Sequence, residues 1–242
     1  MKKIFINIVN KILSIFKAKV ISTKHLYKDN FKDIFVTDVP ENKIVSVDSL
    51  SGLSSNIRGM ISHRAGEELF SLVYMQDLLG NVVEIGSFQG KSTFFLGQAV
   101  KLSRNGKMFA IDHFKGNIGK EKSYRVDKSD LSDLEEGFKK NIKQAFLEST
   151  VTLFNEPTME AVRRFSDDSI RFIFIDGDHT AKGVSNDLKL FKSKLKKKAI
   201  IAFDDYAPKH PGVIEIANKF VMSENISKKY LLGRTLIVEL GT

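Results

Sequence analysis

The chain contains no cysteine and no tryptophan, and it has only four prolines among 242 residues. Without cysteine it forms no disulfide and offers no thiolate to zinc, so any metal ion must use oxygen or imidazole ligands. The absence also fits a reducing compartment, and we expect a cytoplasmic protein. Internal repeats and low-complexity tracts are missing too, and the length suits a single globular core.

Positive charge, by contrast, is abundant, with a formal net charge of +9. Such a balance is typical of proteins that bind nucleic acid or anionic membranes. The lysines are spread along the chain, however, and the densest cluster, "FKSKLKKK" at 191–198, closes a predicted helix. Cations suit that end of a helix dipole. We interpret the cluster as a solvated face and do not expect nucleic acid as a partner.

Residues 1–20 predict a basic amphipathic helix. One face carries Phe5, Ile8, Val9, Ile12 and Phe16. Because Asn7, Asn10 and Lys11 interrupt the apolar stretch, it is too short to span a bilayer, which takes about 20 apolar residues. Three interpretations remain open: packing on the domain or on a second subunit of a homo-oligomer, peripheral docking on an anionic inner membrane surface, and a secretion signal.

From residue 81 onward, short apolar runs alternate with amphipathic helical patterns, which predicts a parallel sheet covered by helices. The strand-like runs are 81–86, 107–112, 150–154, 171–176 and 199–204. Two further runs, "SKKYLLG" and "RTLIVEL", predict an antiparallel hairpin. The expected fold is α/β: a doubly wound, mostly parallel seven-stranded sheet of Rossmann-like type with an antiparallel C-terminal hairpin.

The segments outside the sheet carry weaker signals. Residues 21–60 are polar and without periodicity, whereas 64–79 predict a helix that leads into the first parallel strand. Residues 115–130 are long, polar and glycine-containing, which is typical of a mobile lid. We therefore expect an N-terminal segment of residues 1–57 and a domain of residues 58–242.

The stretch "VVEIGSFQGKST" (82–93) reads as a strand, a glycine-bracketed turn and a helix start. Gly86 allows a tight turn, and Gly90 allows close packing, so backbone N–H groups at a helix N-terminus face a ligand. The G-x-x-x-G spacing fits neither the dinucleotide pattern nor the phosphate-loop pattern. Asp112 ends the next strand, where an acid can accept both ribose hydroxyls of a nucleoside. A turn without a ligand and a capping acid are the alternatives.

Acids also follow the next two strands. Asp176 ends "FIFID", and Asp204 with Asp205 ends the neighbouring run. Because three carboxylates at one edge repel one another, a hard divalent cation such as Mg²⁺, or Mn²⁺, is the expected partner. The alternative for the second pair is a turn before the following proline.

The loop after the fourth strand contains further polar residues. Asp178 or Thr180 can simply cap the helix that starts near Ala181. His179 lies three positions after Asp176 and can take a proton from a hydroxyl near neutral pH. Its alternative role is to order the loop by hydrogen bonding.

Three blocks, "EIGSFQGKST", "IDGDHTAKGVSNDL" and "IIAFDDYAPKHPGV", resemble the class I S-adenosylmethionine (SAM) methyltransferases. They are most similar to the bacterial metal-dependent O-methyltransferases that include the macrolide-sugar enzymes, and the resemblance covers residues 58–242. It implies that SAM contacts Glu84, Gly86, Ser87, Gly90 and Asp112. It also implies a Mg²⁺ or Mn²⁺ ion on Asp176, Asp204 and Asp205, with His179 as the catalytic base. The implied acceptor is a small-molecule or glycan hydroxyl, preferably of a sugar, and relatives are often oligomers.

The chain departs from this family at one point. Where relatives have an Asp near adenine, "NEPTMEA" places Pro157. Adenine recognition is therefore open, with Thr158 or backbone groups as candidates. Asp187, which lies in the second block, is interpreted as structural because it falls within the following helix. The other functional interpretations are a nucleic-acid methyltransferase, a nicotinamide dehydrogenase, and a non-catalytic Rossmann-like domain at a membrane surface. The basic charge favours the first of these, but no element for base amines is present.

Overall fold

The computed structural model describes residues 18–21, 34–37, 48–116 and 133–242. The chain forms two compact units, residues 1–52 and 53–242. In the first unit, β1 (Ala18–Ile21) pairs antiparallel with β2 (Ile34–Thr37). The prediction of a helix over residues 1–20 is therefore wrong at its last three positions. Its first seventeen lie outside the described residues, so the amphipathic face stays a prediction.

The second unit contains the predicted sheet. The α-helices of the described residues, of which α1 begins in the first unit, are α1 (Asp48–Ser54), α2 (His63–Met75), α3 (Lys91–Ser103), α4 (Leu134–Gln144), α5 (Thr158–Ala161), α6 (Ala181–Phe191) and α7 (Pro211–Ser223). The strands are β3 (Asn81–Ile85), β4 (Met108–Ile111), β5 (Val151–Phe154), β6 (Ile170–Ile175), β7 (Leu195–Phe203), β8 (Ile226–Leu232) and β9 (Thr235–Leu240).

The strand order is β5-β4-β3-β6-β7-β9-β8. The first five strands in this order are parallel, while β9 pairs antiparallel with both β7 and β8. The chain moves outward from β3 to β5 and then returns to β6 on the other side of β3, which creates a switch point at the carboxyl ends of β3 and β6. The predicted fold is confirmed.

The continuous apolar runs form strands because both of their faces are covered. All six residues of β6 are buried, and residues such as Val83, Ile173 and Ile201 form one core with α6 and α7. Helices α2 and α3 pack on each other so closely that Gly66 leaves no room for a Cβ beside Phe95. The sheet is therefore the middle layer of the unit.

Two predicted elements have different bounds in the structure. Helix α6 ends at Phe191, and after a 3-10 turn at 192–194 the chain enters β7 at Leu195. The basic cluster at 191–198 therefore covers the end of a helix and the start of a strand. The sequence placed it wholly at a helix end because lysines on a half-exposed strand give the same local pattern. The helix predicted at 64–79 stops at Met75.

The predicted lid at 115–130 lies mostly outside the described residues, which resume at 133. Within the ranges that the structure describes, no helix is both long and apolar enough to cross a membrane.

A buried arginine fastens the amino ends of the strands. Arg171, the second residue of β6, has no exposed surface. Its guanidinium donates hydrogen bonds to four neutral oxygens: Val73 O at 2.8 Å, Gln76 Oε1 at 2.9 Å, Gly80 O at 3.1 Å and Asn105 O at 3.3 Å. Burial lowers its pKa to about 10, so it remains charged at neutral pH.

Candidate active site

A cleft of about 600 Å³ opens at the carboxyl ends of the parallel strands. The residues that line it include those of the loops after β3, β4, β5, β6 and β7 and of the turn between β8 and β9, and others come from α6 and from the segment before α2. In an open α/β sheet this is the place where ligands bind. The predicted site residues Gly86, Ser87, Asp112, Asp176, His179, Asp204 and Asp205 all line this cleft.

The turn after β3 requires its two glycines. Gly86 has φ +87°, and a Cβ there would lie 2.2 Å from the carbonyl oxygen of Asp176. Gly90 has φ +86° and is the N-cap of α3, where a Cβ would press on the Phe138 ring at 3.1 Å. Both conformations are costly for other residues. The turn therefore brings β3 against β6 and exposes the positive end of α3 to the cleft.

Asp112 organises this turn. Its Oδ2 accepts the backbone N–H groups of Ser87 at 2.9 Å and Phe88 at 2.8 Å, and its Oδ1 accepts that of Phe114 at 2.7 Å. A carboxylate offers about four lone-pair sites. Three of these sites accept the loop N–H groups, so about one lone-pair site of Asp112 remains for the predicted contact with ribose.

Glu84 lies beneath the turn. Its side chain has no exposed surface and accepts a hydrogen bond from the Thr93 hydroxyl. Burial raises the pKa of Glu84 to about 7, although hydrogen bonds from Ser92 and Thr93 oppose the shift. Among the described residues, those that line the cleft do not include Glu84. Its predicted contact with SAM stays a prediction, and in the structure it supports the start of α3.

Asp176, Asp204 and Asp205 converge at the ends of β6 and β7. Burial raises the pKa of Asp176 well above its usual range, and the negative charges of Asp204 and Asp205 raise it further. Burial also raises the pKa of Asp204. Asp205 is 3% exposed and has φ +52°. This is the crowding of acids that the sequence predicted.

Two imidazoles adjoin these acids. The Nε2 atom of His179 lies 3.3 Å from Asp176 Oδ1 and 3.6 Å from Asp205 Oδ2. His210 Nε2 lies 3.2 Å from the same Asp205 oxygen, and the two rings are 4.7 Å apart between centroids. His210 is 1% exposed, and among the described residues it is not one of those that line the cleft.

The C-terminal hairpin supplies two residues that sequence analysis missed. The Thr235 hydroxyl donates to Asp204 Oδ1 at 2.7 Å, and Arg234 Nη2 lies 3.1 Å from Asp205 Oδ1. The antiparallel pairing of Phe203 with Leu236 places these groups beside the acids. A basic and a hydroxyl residue at a hairpin turn carry no signal of their own, so only the strand pairing reveals them.

The acids suit a divalent cation. A cation at this point would offset the negative charges of Asp204 and Asp205, which add to the effect of burial in raising the pKa of Asp176. Donor atoms of His179, Asp205 and His210 also lie within 4.8 Å of one another, so imidazole nitrogen is available beside carboxylate oxygen. Carboxylate oxygen suits Mg²⁺ and Mn²⁺, whereas imidazole nitrogen suits later transition metals.

The loop after β6 also has a structural role. Thr180 caps α6 by accepting the N–H of Gly183 at 3.1 Å, and Asp178 accepts the N–H of Thr180 at 2.9 Å. Asp187, interpreted as structural from the sequence, is 7% exposed and forms part of the cleft wall. Burial raises the pKa of Asp187 to about 7.

The strand order, the glycine turn and the acid after β4 are those of the class I SAM-dependent methyltransferases. A family model described as a methyltransferase domain matches residues 83–206, slightly more than half of the chain. The chain belongs to this methyltransferase family. The prediction of a SAM-dependent methyltransferase is thereby confirmed, and the nicotinamide dehydrogenase interpretation is set aside.

Solved structures with this fold include several O-methyltransferases. NovP has a TM-score of 0.63 at 16% identity, covering 78% of this chain and 84% of NovP. TomG from Streptomyces achromogenes, solved with SAM, has a TM-score of 0.55 at 14% identity, with coverages of 84% and 92%. An uncharacterized protein, R132, of Acanthamoeba polyphaga mimivirus is 26% identical over 198 residues, which are 75% of this chain and 77% of that protein.

Proposed function

We propose that this methyltransferase moves the methyl group of SAM to a hydroxyl oxygen of a sugar or glycan, with assistance from a divalent metal ion. One observation carries the proposal: three carboxyl groups and the His179 imidazole meet at the ends of β6 and β7, beside the glycine turn after β3. A hydroxyl is a poor nucleophile until its proton is removed, and this cluster can accept that proton next to the SAM site.

The residues divide into a binding group and a reacting group. The N–H groups of the turn between Gly86 and Gly90 bind the methionine part of SAM, and Asp112 accepts a ribose hydroxyl. SAM supplies a methyl group on sulfonium, which the acceptor oxygen takes, leaving S-adenosylhomocysteine (SAH). Catalysis then depends on holding the acceptor oxygen in line with that methyl group, an effect worth roughly 7–11 kcal/mol in favourable cases.

His179 accepts the hydroxyl proton. The contact of Nε2 with Asp176 Oδ1 at 3.3 Å orients the ring for this transfer. Asp176 and Asp205 then stabilise the imidazolium that results. Asp176, Asp204 and Asp205 would hold Mg²⁺ or Mn²⁺, which supplies Lewis acidity that lowers the pKa of a hydroxyl.

The acceptor end of the cleft supports a sugar rather than an apolar substrate. Asp176 and Asp205 lie beside His179, and the polar side chains of Asp204 and Arg234 line the same cleft. Such a wall can hydrogen-bond several hydroxyls at once. A lipid-linked glycan would also suit the basic N-terminal segment, and we extend the proposal to a cytoplasmic enzyme that contacts the inner membrane surface through residues 1–20.

The test combines binding with turnover. Calorimetric titration with SAH in the presence of Mg²⁺ should show saturable binding, and NAD should show none. Transfer of labelled methyl from SAM should then be measured with a panel of glycosides, with simple catechols for comparison, in Mg²⁺, in Mn²⁺ and in excess chelator. We expect transfer to a glycoside that chelator suppresses.

Two variants separate the parts of the proposal. Asp204→Asn should lose metal-stimulated turnover, and His179→Gln should lower turnover on the order of 100-fold or more, while both bind SAH as the wild type does. Asp168→Asn, with a side chain that is 70% exposed, is the matched control and should be unchanged. Full turnover of Asp204→Asn in chelator would contradict metal assistance, and full turnover of His179→Gln would contradict the base.

A further inference from the structure

Helices α5 and α6, which contact each other, contribute one part of the cleft wall, called the recess below. Its walls are Pro157, Thr158 and Met159 at the start of α5, and Asn186, Asp187 and Leu190 on α6. The strand order places β5 next to β4, so a nucleoside whose ribose is at Asp112 extends its base toward this recess. Pro157, the N-cap of α5, has neither an N–H nor a polar side chain to offer the base.

The other acids near the recess are already engaged. Asp112 accepts three backbone N–H groups. Glu156 accepts hydrogen bonds from two guanidinium nitrogens of Arg164, at 2.6 and 3.1 Å. Asp178 accepts the N–H of Thr180 at 2.9 Å, and its side chain is exposed, so water can satisfy its remaining acceptor sites. These contacts fix each carboxylate on its own loop.

Asp187 differs from these acids in its surroundings. It is buried in the wall of the recess, and the neutral hydroxyl of Thr158 donates a hydrogen bond to its carboxyl. One such bond holds the side chain in position and leaves acceptor capacity on its oxygens. A buried carboxyl in this state is costly unless a ligand supplies further donors.

Adenine supplies the matching group. Its 6-amino nitrogen donates hydrogen bonds, and the adjacent N1 accepts one. A carboxylate accepts from the amino group, and a protonated carboxyl can also donate to N1. Because burial raises the pKa of Asp187 to about 7, both forms are accessible near neutral pH.

We propose that Asp187, held by Thr158, accepts a hydrogen bond from the 6-amino group of the adenine of SAM and replaces the carboxylate that Pro157 cannot provide. The inference rests on SAM binding as given under the proposed function. It makes Asp187 a residue that selects the cofactor base, in addition to any support that it lends to α6.

The experiment compares SAH with its 6-deamino analogue, in which purine replaces adenine. Calorimetry on the wild type should give a dissociation constant for the analogue about 10-fold or more above that for SAH, since one hydrogen bond to a charged or buried group is lost. Asp187→Leu should bind SAH about as weakly as the wild type binds the analogue. The two ligands should then bind this variant nearly equally.

Controls separate recognition from folding. Asp187→Asn retains an acceptor oxygen and should keep the preference for SAH within a few-fold, so it also serves if the leucine variant fails to fold. Lys189→Leu, at an exposed position on the same helix, should behave as the wild type. A preference for SAH that is undiminished in Asp187→Leu, with both ligands weakened alike, would overturn the inference while leaving the proposed function intact. Absence of SAH binding to the wild type would overturn both.

Discussion

Asp112 connects the two loops that border the cofactor end of the cleft. Its carboxylate accepts N–H groups from the turn after β3 and from its own loop after β4. The loops are therefore held in a ligand-ready shape before any cofactor arrives, which reduces the ordering cost of binding.

We expect Asp112→Asn to weaken SAH binding about 10-fold or more. The amide cannot accept on both ends, so at least one N–H of Ser87, Phe88 or Phe114 faces another donor or loses its partner. Calorimetric titration with SAH measures the effect, with Asp168→Asn as the exposed control. An unchanged dissociation constant would show that the loops hold their shape without this carboxylate.

Glu84 makes stability depend on pH. Its pKa is about 7 in the folded protein and 4.5 for an exposed glutamate, so the folded state keeps this proton up to a higher pH than the unfolded chain does. This contribution to stability is present below about pH 4.5 and is lost as the pH rises to about 7. The pKa values of Asp176, Asp187 and Asp204 are raised too and act with the same sign.

We expect Glu84→Gln to remove its share of that pH dependence, on the order of 3 kcal/mol between pH 4.5 and 7. Urea unfolding at a series of pH values measures it, and Glu148→Gln at an exposed position is the control. If the variant and the wild type lose stability in parallel over this range, Glu84 is not the group that titrates.

At the scale of elements, the antiparallel hairpin holds the acids in place. Strand β9 lies beside β7, and Thr235 at its start donates to the buried carboxyl of Asp204. Loss of this donor leaves a buried acid with less support, which raises its pKa further.

We therefore expect Thr235→Val to lower turnover with little change in SAH affinity, because the valine fills the same space but cannot fix the Asp204 side chain. The cost in stability should be about 1–3 kcal/mol. Methyl-transfer assays and SAH titration measure the two effects, and Thr152→Val on the exposed side of β5 is the control. Wild-type turnover in the variant would mean that Asp204 is positioned by its strand alone.

The elements differ in how far the sequence predicts them. Several of the parallel strands are apolar runs followed by a polar residue, such as Asp112 or Asp176, so their positions and the cleft edge follow from local pattern. The contact of Thr235 with Asp204 joins residues 31 positions apart, and no periodicity encodes it. Asp187 looked structural because helical position alone does not tell which face meets the cleft.

At the scale of the whole molecule, the two ends of the sheet have separate tasks. The carboxyl ends carry the cleft, and the amino ends are tied by Arg171, which joins the end of α2 with the loops before β3 and β4. The four oxygens that accept hydrogen bonds from its buried guanidinium are neutral, and removal of the side chain takes this donor from each of them.

We expect Arg171→Met to lower the free energy of unfolding by about 3–5 kcal/mol, which corresponds to a drop in Tm of roughly 6–20 °C. SAH affinity at low temperature should stay near that of the wild type, since the cleft is at the other end of the strands. Calorimetric melting and SAH titration measure both, and Lys197→Met at an exposed position is the control. A loss of affinity equal to the loss of stability would mean that the two ends are coupled.

The late position of the hairpin has a consequence for biosynthesis. Arg234 and Thr235 hold Asp205 and Asp204, yet they are translated after the strands and helices that form the rest of the cleft. A nascent chain can fold β3 to β6 and close the glycine turn while it is still attached to the ribosome. Its acid cluster reaches the arrangement described here only once residue 235 has emerged. The glycine turn that faces the cofactor can therefore form before the acid cluster is complete.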